Sequence, residues 1–286
     1  MKVTVFGATG VVGRALVPLL DEHDVTAVSR SERDEPGVRS VVADAATGDG
    51  VAAAVEDADV VYYLVHSLGV RDFEQQDRLA AETVGREAAN AGVRQIVYLG
   101  GLGADQPGAS AHLRSRRETG ERLASAGVPV TNLRAAMIVG KGSAAFETII
   151  GLVKRLPVMV TPSWVSTPTQ PIALDDVARY LAGVCGTEVT YGNGYDLGGP
   201  EVMTYRQMIE RIAGLLERTP TIVEVPVLTP YLSALWLNLV TPVSASVARP
   251  LVEGLRSPTV AREERIRKIV PLELTSFEEA ARRALA

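Results

Sequence analysis

The sequence predicts an α/β fold: a Rossmann-type doubly wound parallel sheet with a small C-terminal α/β cap. Three features predict it. A glycine turn separates the first strand from the first helix, strand and helix patterns alternate through the first half, and the strands read as near-continuous apolar runs. Parallel strands covered on both faces require such runs. Alternating βα units with right-handed crossovers then wind the sheet in both directions. With 286 residues, 47% apolar and 22% charged, the chain is long enough for one large domain or two small ones and has ordinary globular composition.

Lys2-Val3-Thr4-Val5-Phe6 reads as the first strand and Arg14–Leu20 as helix. Between them lies Gly7-Ala8-Thr9-Gly10-Val11-Val12-Gly13, spaced G-x-x-G-x-x-G. A phosphate can rest on backbone amides there, because glycine puts no Cβ in its way and the first helical N–H groups lack intrahelical partners. Pro18 sits inside the helical pattern, where its missing N–H predicts a kink. Strands follow at Val25–Val28, Val38–Ala43, Asp59–Val65, Gln95–Leu99 and Val130–Leu133. Helices are clearest at Asp72–Asn90 and Ser110–Ala126, each followed by a glycine stop, Gly92 and Gly127.

After Gly140 the alternation breaks. A helix over 143–154, a loop punctuated by Pro157, Pro162, Pro168 and Pro171, and a helix over 174–184 lead to a strand near Tyr195–Leu197. A helix over 204–216 opens on the capping box Thr204…Gln207, Ile222–Val225 reads as a strand, and the last helix opens on Ser276…Glu279. The expected organisation is a nucleotide-binding core over 1–142, with 170–198 returning to it. Residues 143–169 and 199–286 form a cap, and substrate sits in the crevice at the strands' carboxyl ends.

An acid roughly 20 residues past the glycines would grip a ribose 2′-hydroxyl. Here the second strand ends in Ser29-Arg30, with Arg33 close behind. A guanidinium suits a 2′-phosphate, so NADP(H) is favoured over NAD(H). Against this, Arg30 reads equally as a solvated loop arginine, and Asp34 or Glu35 can reach a ribose.

Gly7–Gly13, Val41-Val42-Ala43-Asp44, Tyr62–His66, Leu133–Gly140, Gln170–Ala178 and Tyr195–Pro200 together resemble an atypical short-chain dehydrogenase/reductase of the NmrA-like, NAD(P)H-binding branch, close to YbjT-type proteins. The resemblance covers the whole chain. It implies that Asp44 and Ala45 lie against the adenine, that Leu64, Val65 and His66 lie beside the ribose and nicotinamide, and that the segment through Ala136 and Met137 passes the nicotinamide end.

The catalytic pattern departs from that family. Its ordinary enzymes use Tyr-x-x-x-Lys on the helix after strand five and a serine at that strand's end, the lysine lowering the tyrosine pKa. Here the only lysines are Lys2, Lys141, Lys154 and Lys268, none four residues after a tyrosine, and strand five runs into Leu99-Gly100-Gly101. His112 and Arg116 stand in place of the pair with the same spacing, so both can share one helix face. His112 would pass a proton and Arg116 hold ribose hydroxyls, Ser115 being the other polar candidate. The bland alternative is a basic solvated face.

Net charge of −5 provides no global field toward nucleic acid. The single cysteine, Cys185, and a start directly on a strand make the cytoplasm the expected compartment. Three scattered histidines and one cysteine show no metal-ligand spacing, so no metal is expected. Asp175-Asp176 reads as N-terminal helix charge. Val225–Ala248 carries no charge over 24 residues, but its prolines leave an 11-residue block, too short to cross a bilayer. It reads as a buried cap helix, an apolar substrate wall (Tyr231, Trp236), or a peripheral-membrane or dimer contact. Met137, Phe146 and Trp164 extend the expected apolar pocket.

Two functions fit: an NADP(H)-dependent oxidoreductase on an apolar carbonyl or quinone-like compound, or a non-catalytic NADP(H)-binding redox sensor or scaffold. A nucleotide-sugar epimerase fits less well, since its chemistry needs the absent tyrosine and lysine.

Overall fold

In this computed structural model, residues 1–31, 38–67, 72–225 and 255–286 are described. Seven parallel strands make the central sheet: β1 (Lys2–Phe6), β2 (Asp24–Ser29), β3 (Arg39–Val42), β4 (Val60–Tyr63), β5 (Gln95–Gly101), β6 (Val130–Ala135) and β11 (Gly194–Leu197). Their spatial order is β11-β6-β5-β4-β1-β2-β3, so the winding reverses between β1 and β4. The doubly wound fold is therefore as the apolar runs predict. Successive side chains on each strand feed opposite layers. Val3, Val5, Val60 and Tyr62 pack with Val177, Leu181 and Ile266 on one face. Phe6, Val61, Tyr63 and Tyr98 pack with Ala80, Val84 and Leu123 on the other.

The helices are α1 (Val11–Leu16), α2 (Val51–Val55), α3 (Phe73–Asn90), α4 (Ala111–Ser125), α5 (Ala144–Arg155), α6 (Leu174–Gly183) and α7 (Tyr205–Leu215), then α8 (Arg265–Ile269) and α9 (Phe277–Leu285). Pro18 does not kink a longer helix. Instead α1 ends at Leu16 and Val17–Leu20 forms a 3₁₀ turn with the proline at its start, where a missing donor costs nothing. Gly92 and Gly127 follow α3 and α4 at φ of 73° and 92°, as left-handed stops. Thr204 completes its capping box, whereas the Glu279 carboxylate turns to Arg282 and Arg283 and only the Ser276 hydroxyl caps α9.

The proline-punctuated loop holds more order than its sequence suggests. β8 (Val158–Pro162) pairs in parallel with β13 (Thr221–Val225), and β9 (Pro168–Thr169) pairs with β12 (Met203–Thr204). β7 (Ile138–Val139) pairs with β10 (Ile172–Ala173), bringing the chain back beside β6. A third apolar cluster joins α5, α7 and α9 through Phe146, Ile150, Met208, Ile212 and Ala281.

Asp176 locks the C-terminal segment to the core. Fully buried, it accepts hydrogen bonds from Thr275 N at 2.8 Å and Thr275 Oγ1 at 3.1 Å and is also bound by Arg179. Asp176→Ala strands all three donors and is expected to cost about 3 kcal/mol of stability. Asp175→Ala removes only an exposed pair with Arg283 and should cost less than about 1 kcal/mol. Urea midpoints of the two variants check the contrast.

Candidate functional site

A cleft of about 380 Å³ opens at the carboxyl ends of β1, β2, β3 and β4, where the sheet order reverses. Such a switch point is where doubly wound sheets take ligands, and the volume lies within the small-molecule range. Its walls come from five places: Gly7, Thr9 and Gly10 after β1; Ser29 and Arg30 at the end of β2; Asp44, Ala45 and Ala46 after β3; Leu64–Ser67 after β4; and Gln76 and Ala80 from α3.

The floor is the glycine turn. Gly10 N donates to Gly7 O at 3.0 Å, and Arg14 N opens the helical ladder on Gly10 O at 3.0 Å. Gly7 has φ of 85°, and a Cβ there would stand 3.0 Å from the Leu64 carbonyl. At Gly13 a Cβ would meet Gly7 O at 2.3 Å and Ala8 Cα and O at 2.6 Å. These are backbone atoms, so no rotamer change can make room. Ala8 is buried beneath the turn, and Val11 and Val12 begin α1.

At the distal end, Asp44 accepts from Ala46 N at 2.8 Å and so shapes the turn that follows β3. Arg30 lies exposed on the cleft rim, and the Ser29 hydroxyl donates to the Ser31 carbonyl at 2.5 Å. Arg33, Tyr231 and Trp236 lie outside the described residues, as does nearly all of 225–248.

The other end holds a buried polar network. Asp77 of α3 is 3% exposed and accepts from Ser67 N at 2.9 Å and Ser115 Oγ at 3.0 Å. Its Oδ2 also meets His66 Nδ1 at 3.2 Å. The His66 and His112 rings stack at a tilt with centroids 4.9 Å apart. His66 Nε2, His112 Nδ1 and the Tyr63 hydroxyl are buried without hydrogen-bond partners. Burial depresses both imidazoles: it pulls His112 down to about 3, helped by His66 and Arg116, and lowers His66 against the opposing pull of Asp77. Burial pushes Asp77 up, yet bonds from His66 and Ser67 leave its carboxyl below the usual carboxylate value.

Of the proposed catalytic pair, neither His112 nor Arg116 borders the cleft, whereas His66 does. Arg116 is committed elsewhere: its guanidinium donates to the Leu99 carbonyl and lies 5.2 Å from the Tyr98 ring centre. At the end of β5, glycines stand where the family's serine would, and a side chain there would displace the tips of two neighbouring side chains. A Cβ on Gly100 would stand 2.7 Å from Asn132 Oδ1, and one on Gly101 would stand 2.9 Å from Leu113 Cδ2. Phe146 is fully buried in the cluster of α5, α7 and α9, so its ring has no surface left for a ligand. Trp164 packs edge-on to Tyr205 at 6.0 Å, and Met137 is partly buried against the same cluster. Ala136, between β6 and β7, is half-buried and not part of the cleft wall. Among the described residues no group of three or more His, Cys, Asp or Glu side chains is placed to hold a metal ion.

Residues 7–145 match the family model described as NAD(P)H-binding, a span that starts on the first glycine of the turn. The match covers just under half of the chain, which is to that extent similar to the family. A mitochondrial NADH dehydrogenase (ubiquinone) 1 alpha subcomplex subunit 9 of Arabidopsis thaliana is 25% identical over 240 residues, covering 78% of this chain and 60% of that protein's length. A (4-alkanoyl-5-oxo-2,5-dihydrofuran-3-yl)methyl phosphate reductase of Streptomyces griseus is 28% identical over 225 residues, covering 76% of this chain and 74% of that one. The fold also matches an NADPH-dependent quinone oxidoreductase of Escherichia coli complexed with NADPH. There the TM-score is 0.79 over 100% of both chains, at 19% identity.

Within the matched segment, Asp77 is the residue that sequence reasoning missed. Its signal was present: Asp77, Ala80, Ala81, Val84 and Ala88 form the buried stripe of α3 at helical spacing, and an acid on such a stripe must have partners.

Proposed function

We propose that this protein is an NADP(H)-dependent reductase of small apolar carbonyl or quinone-like compounds. The observation that carries the nucleotide preference is Arg30 on the cleft rim at the end of β2, where a 2′-phosphate would need a cation. The glycine turn fits the pyrophosphate, because side chains at Gly7 and Gly13 would collide with backbone. Asp44 and Ala45 would flank the adenine, and Leu64, Val65 and His66 the nicotinamide ribose. When bound, the nicotinamide supplies hydride to the substrate. The protein's own contribution is to hold that ring against the end of β4 and to exclude water. Support for a reductase comes from the quinone oxidoreductase and phosphate reductase to which the chain is similar.

Arg30→Glu is expected to weaken NADPH binding about 10- to 100-fold, as loss of a charge-assisted pair should, while NADH binding moves less than about threefold. Fluorescence titration of both nucleotides reads the difference. Turnover is checked by NADPH oxidation against a panel of quinones and apolar aldehydes, and no oxidation across the panel would overturn the reductase. A redox sensor is the second reading, favoured by glycines at 100 and 101 where the family's serine would stand and by the missing Tyr-x-x-x-Lys pair. It requires unequal affinities for oxidised and reduced nucleotide.

A further inference from the structure

We infer that His66, oriented by Asp77 and backed by the ring of His112, is the proton-transfer residue of this cleft. The inference rests on the reductase reading above and adds the acid–base group that the missing tyrosine and lysine leave unassigned. His66 follows β4 and borders the cleft, where its side chain keeps 23% of its surface exposed. Asp77 Oδ2 stands 3.2 Å from Nδ1 and fixes that edge of the ring. Because Ser67 N and Ser115 Oγ also bind Asp77, the carboxylate is itself held on three sides. A carboxylate at Nδ1 selects the tautomer with Nδ1 protonated, which leaves the lone pair on Nε2. Nε2 is the atom without a partner. That nitrogen is buried as well as unpartnered, so it is substrate seated against the cleft wall, not bulk water, that would pair with it. An imidazole with one edge anchored and the other unpartnered is the arrangement that passes protons.

The charged and titratable groups acting on His66 are Asp77 from α3 and Arg116 from α4, with the His112 ring of α4 stacked beside it. Burial is the main effect and holds the resting ring neutral, Asp77 favours an imidazolium and Arg116 disfavours it. In the oxidative direction neutral His66 would take the substrate hydroxyl proton on Nε2, a bound oxidised nicotinamide being the hydride acceptor. In reduction a bound reduced nicotinamide would supply the hydride to the carbonyl carbon, leaving the π pair on oxygen. The oxygen then takes the Nε2 proton of His66, which returns to neutral imidazole. Solvent restores that proton, so carbonyl reduction speeds up as pH falls toward the depressed His66 value. Asp77 acts as a positioning residue.

Nitrogen-15 NMR of the histidine rings tests the arrangement without turnover. His66 is expected to be neutral at pH 7, protonated at Nδ1, and to lose that tautomer bias in Asp77→Asn. A ring protonated at Nε2, or a bias unchanged in Asp77→Asn, overturns the inference. In kinetics with NADPH, His66→Gln should lower kcat by about 100-fold or more and flatten its pH profile. A parental circular dichroism spectrum and a cooperative urea transition show that the variant folds. Turnover that survives His66→Gln with its pH profile intact overturns this inference alone. A parent protein that binds NADPH but reduces no carbonyl or quinone removes the reductase reading and this role together.

Discussion

Gly13→Val is expected to abolish saturable binding of pyridine nucleotides and to lower stability by about 3 kcal/mol or more. A single added Cβ would lie 2.3 Å from Gly7 O and 2.6 Å from two atoms of Ala8, and all three belong to the backbone of the turn. Relief requires β1 and α1 to separate. Gly7 cannot give way on its other side, because the Leu64 carbonyl already lies 3.0 Å from its own Cβ direction. Gly10→Ala is the informative neighbour. Its Cβ would meet only Gly7 O, at 3.2 Å, which a shift of a few tenths of an ångström relieves. That variant should keep its fold and lose affinity in part. Isothermal titration with NADPH beside urea melts separates the two outcomes, and a Gly13→Val protein with parental affinity would place the nucleotide elsewhere.

What was legible in the sequence follows from how local each signal is. β4 is a continuous apolar run and β1, β2, β5 and β6 are mostly apolar or β-branched, which is the pattern that burial on both sheet faces demands. The glycine turn was equally legible, because its requirement is steric and sits within seven residues. β8 read as loop because its order comes from β13, which pairs Val158 with Thr221 across a long stretch of chain. The surroundings of His112 and Arg116 were not legible for a related reason. The two have the same-face spacing, but the guanidinium donates to the Leu99 carbonyl of the central strand β5, a partner 17 residues away in sequence. Phe146 looked like a pocket wall and proved to be core, since the apolar face of α5 packs on α7. Asp77 lies on a stripe with Ala80, Ala81, Val84 and Ala88 that helical spacing marks, but its partners Ser67 and Ser115 come from other elements and only the tertiary structure supplies them.

The same packing makes the protein acid-labile. His112 titrates at about 6.5 when unfolded and near 3 when folded, with burial the main cause and His66 and Arg116 adding to it. Below pH 6.5 the unfolded chain therefore binds a proton that the folded one refuses, and stability falls as pH falls. The loss approaches 1.4 kcal/mol per pH unit for this one group and stops only near the folded value. Between pH 6.5 and 4.5 His112 alone should cost about 2 kcal/mol, a large share of the 5–15 kcal/mol typical of a domain. His66 is lowered too and steepens the same window. Asp77 works in a separate one: its carboxyl is held below 3.8, so its contribution is complete above that pH and disappears only as pH drops through the folded value. His112→Gln removes the first loss and leaves the second. Urea midpoints for the parent should fall steeply from pH 7 to pH 4.5, and those of His112→Gln should fall by about 2 kcal/mol less. Equal slopes would mean that His112 is already charged in the folded protein, which is incompatible with its burial against His66 and Arg116.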